Sequence, residues 1–163
     1  MQVARVTFRV MNRVLIALWR VGLGWLVNQS RPLTGRILVL GTRGRKSGKI
    51  RRTPLNYSLG EGCCWCASGF GEASDWFQNL LANPEVEIWL PRSQATGRVE
   101  LVTEEAEFIR TLRCVLADSG WTARRLAGLD LRTSDQELRR RTAEFRLIRV
   151  DFSTQSDATS ADI

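Results

Sequence analysis

The chain has 163 residues, 44% hydrophobic and 25% charged, proportions typical of a soluble globular protein of one domain. It contains no histidine, which excludes the usual base of Ser-His and Cys-His hydrolases. The net charge of +7 is unevenly placed, since residues 1–60 hold twelve Lys or Arg and no Asp or Glu, so we expect an anionic partner for this part.

The first predicted element is an amphipathic N-terminal helix over residues 1–30. Basic side chains recur near one side of it, at Arg5, Arg9, Arg13 and Arg20. Either the opposite, apolar side covers the protein's own core, or residues 1–28 bind an anionic membrane surface with Trp19 and Trp25 at headgroup depth. No secretory signal and no apolar stretch of the ~20 residues that span a bilayer is recognisable, which predicts a cytoplasmic protein, peripheral on the inner face of the membrane if the helix binds lipid.

After Pro32 the patterns predict short strands, followed by helices inserted before a last strand. The predicted strands are 36–43, 49–59, 62–70, 85–90, 96–102 and 145–152. The predicted helices lie over 74–83, 103–117 and 121–126, and a fourth begins at the capping box 134–137. This order favours an α+β fold on a small closed or half-open barrel, while the tail 153–163 is polar enough to predict disorder.

The stretch GTRGRKSGKIRRTP, residues 41–54, contains the only two lysines of the chain, Lys46 and Lys49. It does not fit a Walker loop, because Arg45 precedes Lys46-Ser47 and a strand with Pro54 follows instead of a helix. A hairpin tip with Gly44 and Gly48 leaves backbone N–H groups free to face a ligand. The two lysines offer mobile charges, Ser47 offers a hydroxyl, and Arg45 offers a planar guanidinium that binds carboxylate or phosphate. From these residues alone, an anion-binding loop and a solvated basic turn both remain open.

Three stretches in fixed order and spacing, GRKSGKIRRTPLNY, ASGFG and DWFQNLLANPEVEI, resemble the deazaflavin-dependent nitroreductase (F420H2-dependent quinone reductase) family. The resemblance covers residues 35–103 well and implies a split β-barrel, related to FMN-binding flavoproteins, over residues 31–152. It further implies coenzyme F420, whose phospholactyl and oligoglutamate tail is a polyanion that matches the basic loop. The implied activity is hydride transfer from the reduced deazaflavin to a small apolar acceptor, such as a quinone, a nitroaromatic or an enone-like compound.

The resemblance also implies how the cofactor is held. The phosphate and glutamates would contact Arg45, Lys46, Ser47, Gly48 and Lys49, and the pattern continues along the next strand with Arg51, Thr53 and Pro54. Backbone groups of Ala67, Ser68 and Gly69 would line the deazaflavin ring, and Trp76 and Asn79 would close the pocket. Ser68, Tyr57 or water would deliver a proton to the acceptor. The chain departs from many relatives at Gly69, where they have lysine, and at Asp75, where they have proline.

Two other classes of protein remain as alternatives. One is a split barrel that binds FMN or heme; the surplus of basic groups over the single phosphate of FMN favours the longer acidic tail of F420. The other is a basic module without catalysis that binds a membrane or a nucleic acid, and nucleic-acid binding would weaken steeply with salt. The cysteines of GCCWCAS lack the paired spacing of a zinc site, so we predict no metal, and the oligomeric state is not predicted.

Overall fold

The computed structural model describes residues 12–29 and 31–152. The strands in this part are β1 Ile37–Arg43, β2 Ile50–Leu59, β3 Cys63–Ser68, β4 Glu85–Trp89, β5 Gln94–Leu101 and β6 Arg146–Phe152. The helices are α1 over residues 12–20, α2 Gly24–Val27, α3 Arg31–Thr34, α4 Asp75–Ala82, α5 Glu105–Asp118, α6 Trp121–Ala127 and α7 Asp135–Arg141. A 3₁₀ turn, Gly71–Ala73, precedes α4.

The six strands form one closed antiparallel barrel in the order β1-β2-β3-β6-β5-β4. Helices α5, α6 and α7 lie between β5 and β6 in the chain, so the predicted α+β fold with helices inserted before the last strand is confirmed. Side chains cap the N-termini of two of these helices, and the cap at Ser134 is the one that the sequence indicates. Glu104 accepts hydrogen bonds from the first N–H groups of α5, and Ser134 accepts one from Glu137 N at the start of α7.

The barrel is open along part of one seam, between β2 and β3. Strand β2 pairs with β1 from Ile50 to Asn56, but the described ladder between β2 and β3 begins only at Tyr57 opposite Cys66. The end of β3, at Ala67 and Ser68, pairs with β6 alone. One edge of β2 therefore diverges from β3 and faces the mouth of the barrel.

Two apolar cores flank the barrel wall. Helix α4 closes the mouth by placing Trp76, Phe77 and Leu80 in the interior core with the inward-facing residues of the strands. The second core lies outside the barrel, where α5 and α7 pack on the outer face of the sheet. Its buried members include Phe108, Leu112, Leu116, Leu138 and Leu147. Alternate strand residues thus serve two different cores, as the two-residue period of a strand requires.

The N-terminal segment differs from the single helix predicted over residues 1–30. In the described part, α1 ends at residue 20, Gly22 has a left-handed φ of +77°, and α2 begins at Gly24. Trp19 is buried, with its indole against Gly24, so the expectation that it lies at headgroup depth is wrong. Trp25 is 39% exposed.

This segment is fastened to the barrel at its end. The Asn28 side chain donates to Ile37 O and accepts from Ile37 N, both at 3.0 Å, and so caps the start of β1. None of the helices in the described ranges has the length and apolarity needed to cross a bilayer. The arginines predicted at positions 5 and 9 and the tail 153–163 lie outside the described residues.

Candidate functional site

The basic loop between β1 and β2 forms a tight turn. The Gly44 N–H donates to Lys49 O at 2.9 Å, and the Gly48 N–H donates to Gly44 O at 2.8 Å. Gly48 has a left-handed φ of +65°, which glycine adopts without steric cost. Lys46 and Lys49 are exposed on this turn. Among the described residues, neither lysine takes part in a salt bridge.

Asn79 of α4 fixes the position of this loop. Its Oδ1 accepts from the backbone N–H of Arg45 at 3.1 Å and from Arg45 Nη1 at 3.2 Å. Its Nδ2 donates to Thr42 Oγ1 of β1 at 3.3 Å. Asn79 and Thr42 are both buried, so losing these bonds would leave polar groups without partners at a cost of about 1–3 kcal/mol. The loop is thereby held against the helix that closes the barrel.

A cavity of about 490 Å³ lies between this loop, β2 and α4. Its walls are formed by Gly44, Arg45, Lys46, Ser47, Arg51, Thr53, Asp75, Trp76 and Asn79. The structure thus brings together most of the predicted loop residues with Arg51, Thr53, Trp76 and Asn79. The cavity joins a polar, cationic side at the loop to the indole of Trp76 at the barrel mouth.

The remaining predicted binding residues lie around this cavity. Gly48 and Lys49 are at the exposed loop tip, and Pro54 lies within β2, opposite Val39 of β1. The Ala67 side chain packs on the outer core, away from the barrel interior, which leaves only its backbone to face the open seam. Gly69 is exposed beside Phe145.

The two predicted proton donors occupy very different positions. Tyr57 is buried in the barrel core and lies six residues along β2 from Arg51, about 20 Å at ~3.3 Å per residue. It faces a second cavity at the other end of the barrel, with Leu90 and Trp25 in its wall. Tyr57 lines this second cavity and not the loop cavity, so the structure does not place it beside the basic loop.

Ser68 lies near the start of α4, but its hydroxyl is already engaged. It is 1% exposed, and its Oγ donates to Gly71 O at 2.9 Å and pairs with Ser74 Oγ at 2.8 Å. Ser74 occupies the predicted N-cap position of α4 without making a side-chain cap, because its hydroxyl pairs with Ser68 instead. This arrangement favours a role in fixing the turn before α4 over proton donation.

Sequence reasoning missed the part played by Asp75. Arg45 Nη2 lies 3.2 Å from Asp75 Oδ1, and Arg45 Nη1 donates to the Asp75 carbonyl at 3.4 Å. Within the described part of the chain, Asp75 is the only acidic residue in the cavity wall, and its side chain is 92% exposed. An arginine expected to bind an anionic ligand is thus already paired with a carboxylate. The signal available in the sequence was the departure from proline at this position.

Comparison with known proteins decides the family. The family model described as F420H(2)-dependent quinone reductase matches residues 23–127. The chain belongs to the F420H2-dependent quinone reductase family. It is accordingly an oxidoreductase whose cofactor is coenzyme F420, and this confirms the predicted family, enzyme class and cofactor.

Solved structures support the split-barrel fold. A putative 5-nitroimidazole antibiotic resistance protein from Bacteroides thetaiotaomicron matches with a TM-score of 0.55 and 14% identity, over 79% of this chain and 79% of that one. An F420-H2 dependent reductase matches with a TM-score of 0.52 and 19% identity, over 71% of this chain and 94% of that one. A putative pyridoxamine 5'-phosphate oxidase from Listeria innocua matches with a TM-score of 0.51 and 11% identity, over 82% of this chain and 95% of that one. No curated protein matches the sequence.

The residues around the cavity fit such a cofactor. Three cationic side chains, Lys46, Lys49 and Arg51, form no salt bridge within the described ranges and are exposed beside the cavity. They match a tail that carries one phosphate and several carboxylates. The open seam between β2 and β3 leaves one strand edge available to a flat ring. The family's cofactor and this site are therefore chemically compatible.

The Asp75 contact generates a prediction. Asp75→Asn removes a negative charge from the cavity wall and releases Arg45, so we expect F420 to bind about two- to fivefold more tightly, which corresponds to ~0.4–1 kcal/mol and lies within the range of one exposed ion pair. Fluorescence titration of the purified variant measures the change. Glu72→Gln is the matched control, because it removes an equal charge that pairs with Arg146 outside the cavity. Affinity that is unchanged or weaker in Asp75→Asn, relative to this control, would contradict the role given to Asp75.

Proposed function

We propose that this reductase binds the phosphate and glutamates of F420 through the loop from Arg45 to Lys49, with the deazaflavin ring at the open seam between β2 and β3. The observation that carries the proposal is the set of Asn79 hydrogen bonds, which holds a loop at the edge of a cavity with two lysines that form no salt bridge among the described residues. Coulombic attraction from these lysines and Arg51 would orient the tail. Ala67, Ser68 and Gly69 would present backbone groups to the ring, with Thr53 and Pro54 on the facing strand.

The protein's contribution to the reaction would be positioning. Reduced F420 supplies the hydride, and the indole of Trp76 forms an apolar wall that favours a small apolar acceptor and excludes water from one side. We propose quinones as the acceptors, with nitroaromatic or enone-like compounds as further candidates. Water in the open cavity would deliver the proton, because Tyr57 lines the second cavity instead and the Ser68 hydroxyl is already bonded on two sides.

A titration with two cofactors tests this assignment. We expect F420 to bind at least tenfold more tightly than FMN, because the loop has cationic groups beyond those that one phosphate can engage. Absorbance or fluorescence titration of the purified protein measures both dissociation constants. Equal affinities, or FMN that co-purifies in stoichiometric amount, would refute the assignment and favour an FMN-dependent split barrel.

We further propose a cytoplasmic protein that binds the inner face of the membrane through residues 1–28, close to apolar quinones. Arg13, Arg20 and Trp25 are exposed in the described part of this segment, and each basic residue near an anionic surface contributes about 1 kcal/mol. Trp19 does not contribute to this contact, because it is buried inside the protein.

Sedimentation with anionic liposomes tests the membrane proposal. We expect salt-sensitive binding that is lost when residues 1–28 are removed, while the affinity for F420 is kept. Full-length protein that stays in the supernatant at low salt would contradict the proposal. A truncated protein that fails to fold would show instead that the segment belongs to the core.

A further inference from the structure

Three short helices from two distant parts of the chain lie side by side. Thr34 Oγ1 of α3 donates to Val27 O of α2 at 3.1 Å. Thr122 Oγ1 of α6 donates to Leu33 O of α3 at 2.6 Å, although 89 residues separate them. The backbone of Gly120 is so close to Leu33 that an added Cβ would lie 2.1 Å from its carbonyl oxygen. Helices α2, α3 and α6 are therefore one packed unit.

These helices expose large apolar side chains. Leu26 and Leu33 are 41% and 55% exposed, and on α6 Trp121 and Leu126 are 56% and 78% exposed. Helix α6 buries none of its own residues, so its packing on α3 does not account for the two apolar side chains. The Arg125 guanidinium lies 5.8 Å from the centroid of the Trp121 ring, which places a cation over an exposed indole.

The charge on the three helices has one sign. Residues 12–29, 31–34 and 119–129 contain no Asp or Glu, while α6 carries Arg124 and Arg125. The acid that precedes α6, Asp118, is neutralised by Arg36 at 3.3 Å and accepts a hydrogen bond from Ser58 at 2.7 Å. Two exposed leucines elsewhere, Leu101 and Leu131, directly follow an acid in the chain, Glu100 and Asp130. One exposed acid, Asp130, lies at the edge of this surface, in a cavity wall with Trp121 and the two arginines of α6. The surface is therefore apolar with an excess of positive charge.

We propose that α2, α3 and α6 together form a docking surface for an anionic lipid bilayer, so that the membrane contact is not confined to the N-terminal residues. The inference rests on the membrane association proposed above and extends it to a helix about 100 residues further along the chain. Exposed Trp and Leu with Arg and no acids are the composition of helices that lie in a membrane interface. Nucleic acid would be matched by the arginines and by stacking on Trp121, but it offers no apolar partner to the exposed Leu26, Leu33 and Leu126.

The test keeps the full chain and changes α6 alone. Trp121→Ser with Leu126→Ser should reduce binding to vesicles of equal phosphatidylglycerol and phosphatidylcholine at least fivefold in a flotation assay, with the F420 affinity and the melting temperature kept. Leu81→Ser with Leu101→Ser is the matched control, since both leucines are exposed to a similar degree elsewhere, and it should bind the vesicles as the unchanged protein does.

Each other outcome would overturn the inference in a recognisable way. Unchanged binding in the α6 variant, with binding lost when residues 1–28 are removed, would leave the N-terminal proposal intact and exclude α6. Unchanged protein that binds no vesicles would overturn both membrane proposals, while the F420 titration would still stand. Equal binding to vesicles of phosphatidylcholine alone would contradict the proposal that the arginines of this surface bind anionic lipid. A variant that changes oligomeric state but not lipid binding would assign the surface to a second copy of the chain.

Discussion

The hydrogen bonds of Asn79 are the interaction on which the rest of this site depends. One side chain joins the helix that closes the barrel to β1, through Thr42, and to the basic loop, through Arg45. Helix α4 is itself held by buried Trp76, Phe77 and Leu80, each worth about 1.5–3 kcal/mol of burial. The exposed Arg45–Asp75 pair contributes at most ~1 kcal/mol. Core packing and the buried amide, not the ion pair, therefore determine where the loop lies.

Because Asn79 holds the loop, the loop stays ordered without salt bridges from its two lysines to other described residues. A loop fastened at Arg45 can present Lys46 and Lys49 to solvent, since its backbone is fixed by Asn79 and by the turn bonds of Gly44 and Gly48. The open seam between β2 and β3 starts where their ladder ends, at Tyr57 and Cys66, and runs to Ser68, whose hydroxyl pairs with Ser74 at the start of the helix that carries Asn79. Binding of an acidic tail and access to a strand edge are thus properties of one end of the barrel. Tyr57 lies at the last paired position of this seam, and it lines the second cavity and not the loop cavity.

Local signals in the sequence were sufficient for much of the fold. Capping at Ser134, the continuous apolar run of β1 and the position of α4 each depend on a few neighbouring residues, and all were predicted close to their observed bounds. The order of strands in the barrel depends on contacts between distant residues. No local pattern reports that β3 pairs with β6, or that α6 docks on α3.

The candidate site shows the same division. The resemblance brought Arg45, Lys46, Trp76 and Asn79 to one place, and the cavity contains all four. It did not show that Asn79 would hold the loop, because the sequence does not distinguish an asparagine that is buried from one that contacts a ligand. The spacing of the motifs also does not show at which end of a strand a residue lies. Tyr57 follows Thr53 by only four residues, yet Thr53 lines the loop cavity and Tyr57 lines the second cavity.

The central claim is that the loop fixed by Asn79 binds the acidic tail of the cofactor, and the two lysines test it most directly. The measurement is the ratio of the dissociation constants for F420 and for a deazaflavin without the tail, in Lys46→Ala with Lys49→Ala. A double change of two exposed arginines elsewhere, Arg110→Ala with Arg132→Ala, removes the same charge and serves as the control. We expect the lysine variant to bind F420 about tenfold more weakly or worse, by analogy with two charge-assisted contacts, and the tail-less compound nearly as before. Equal losses for both ligands, or the same loss of F420 affinity in the arginine control, would contradict the account.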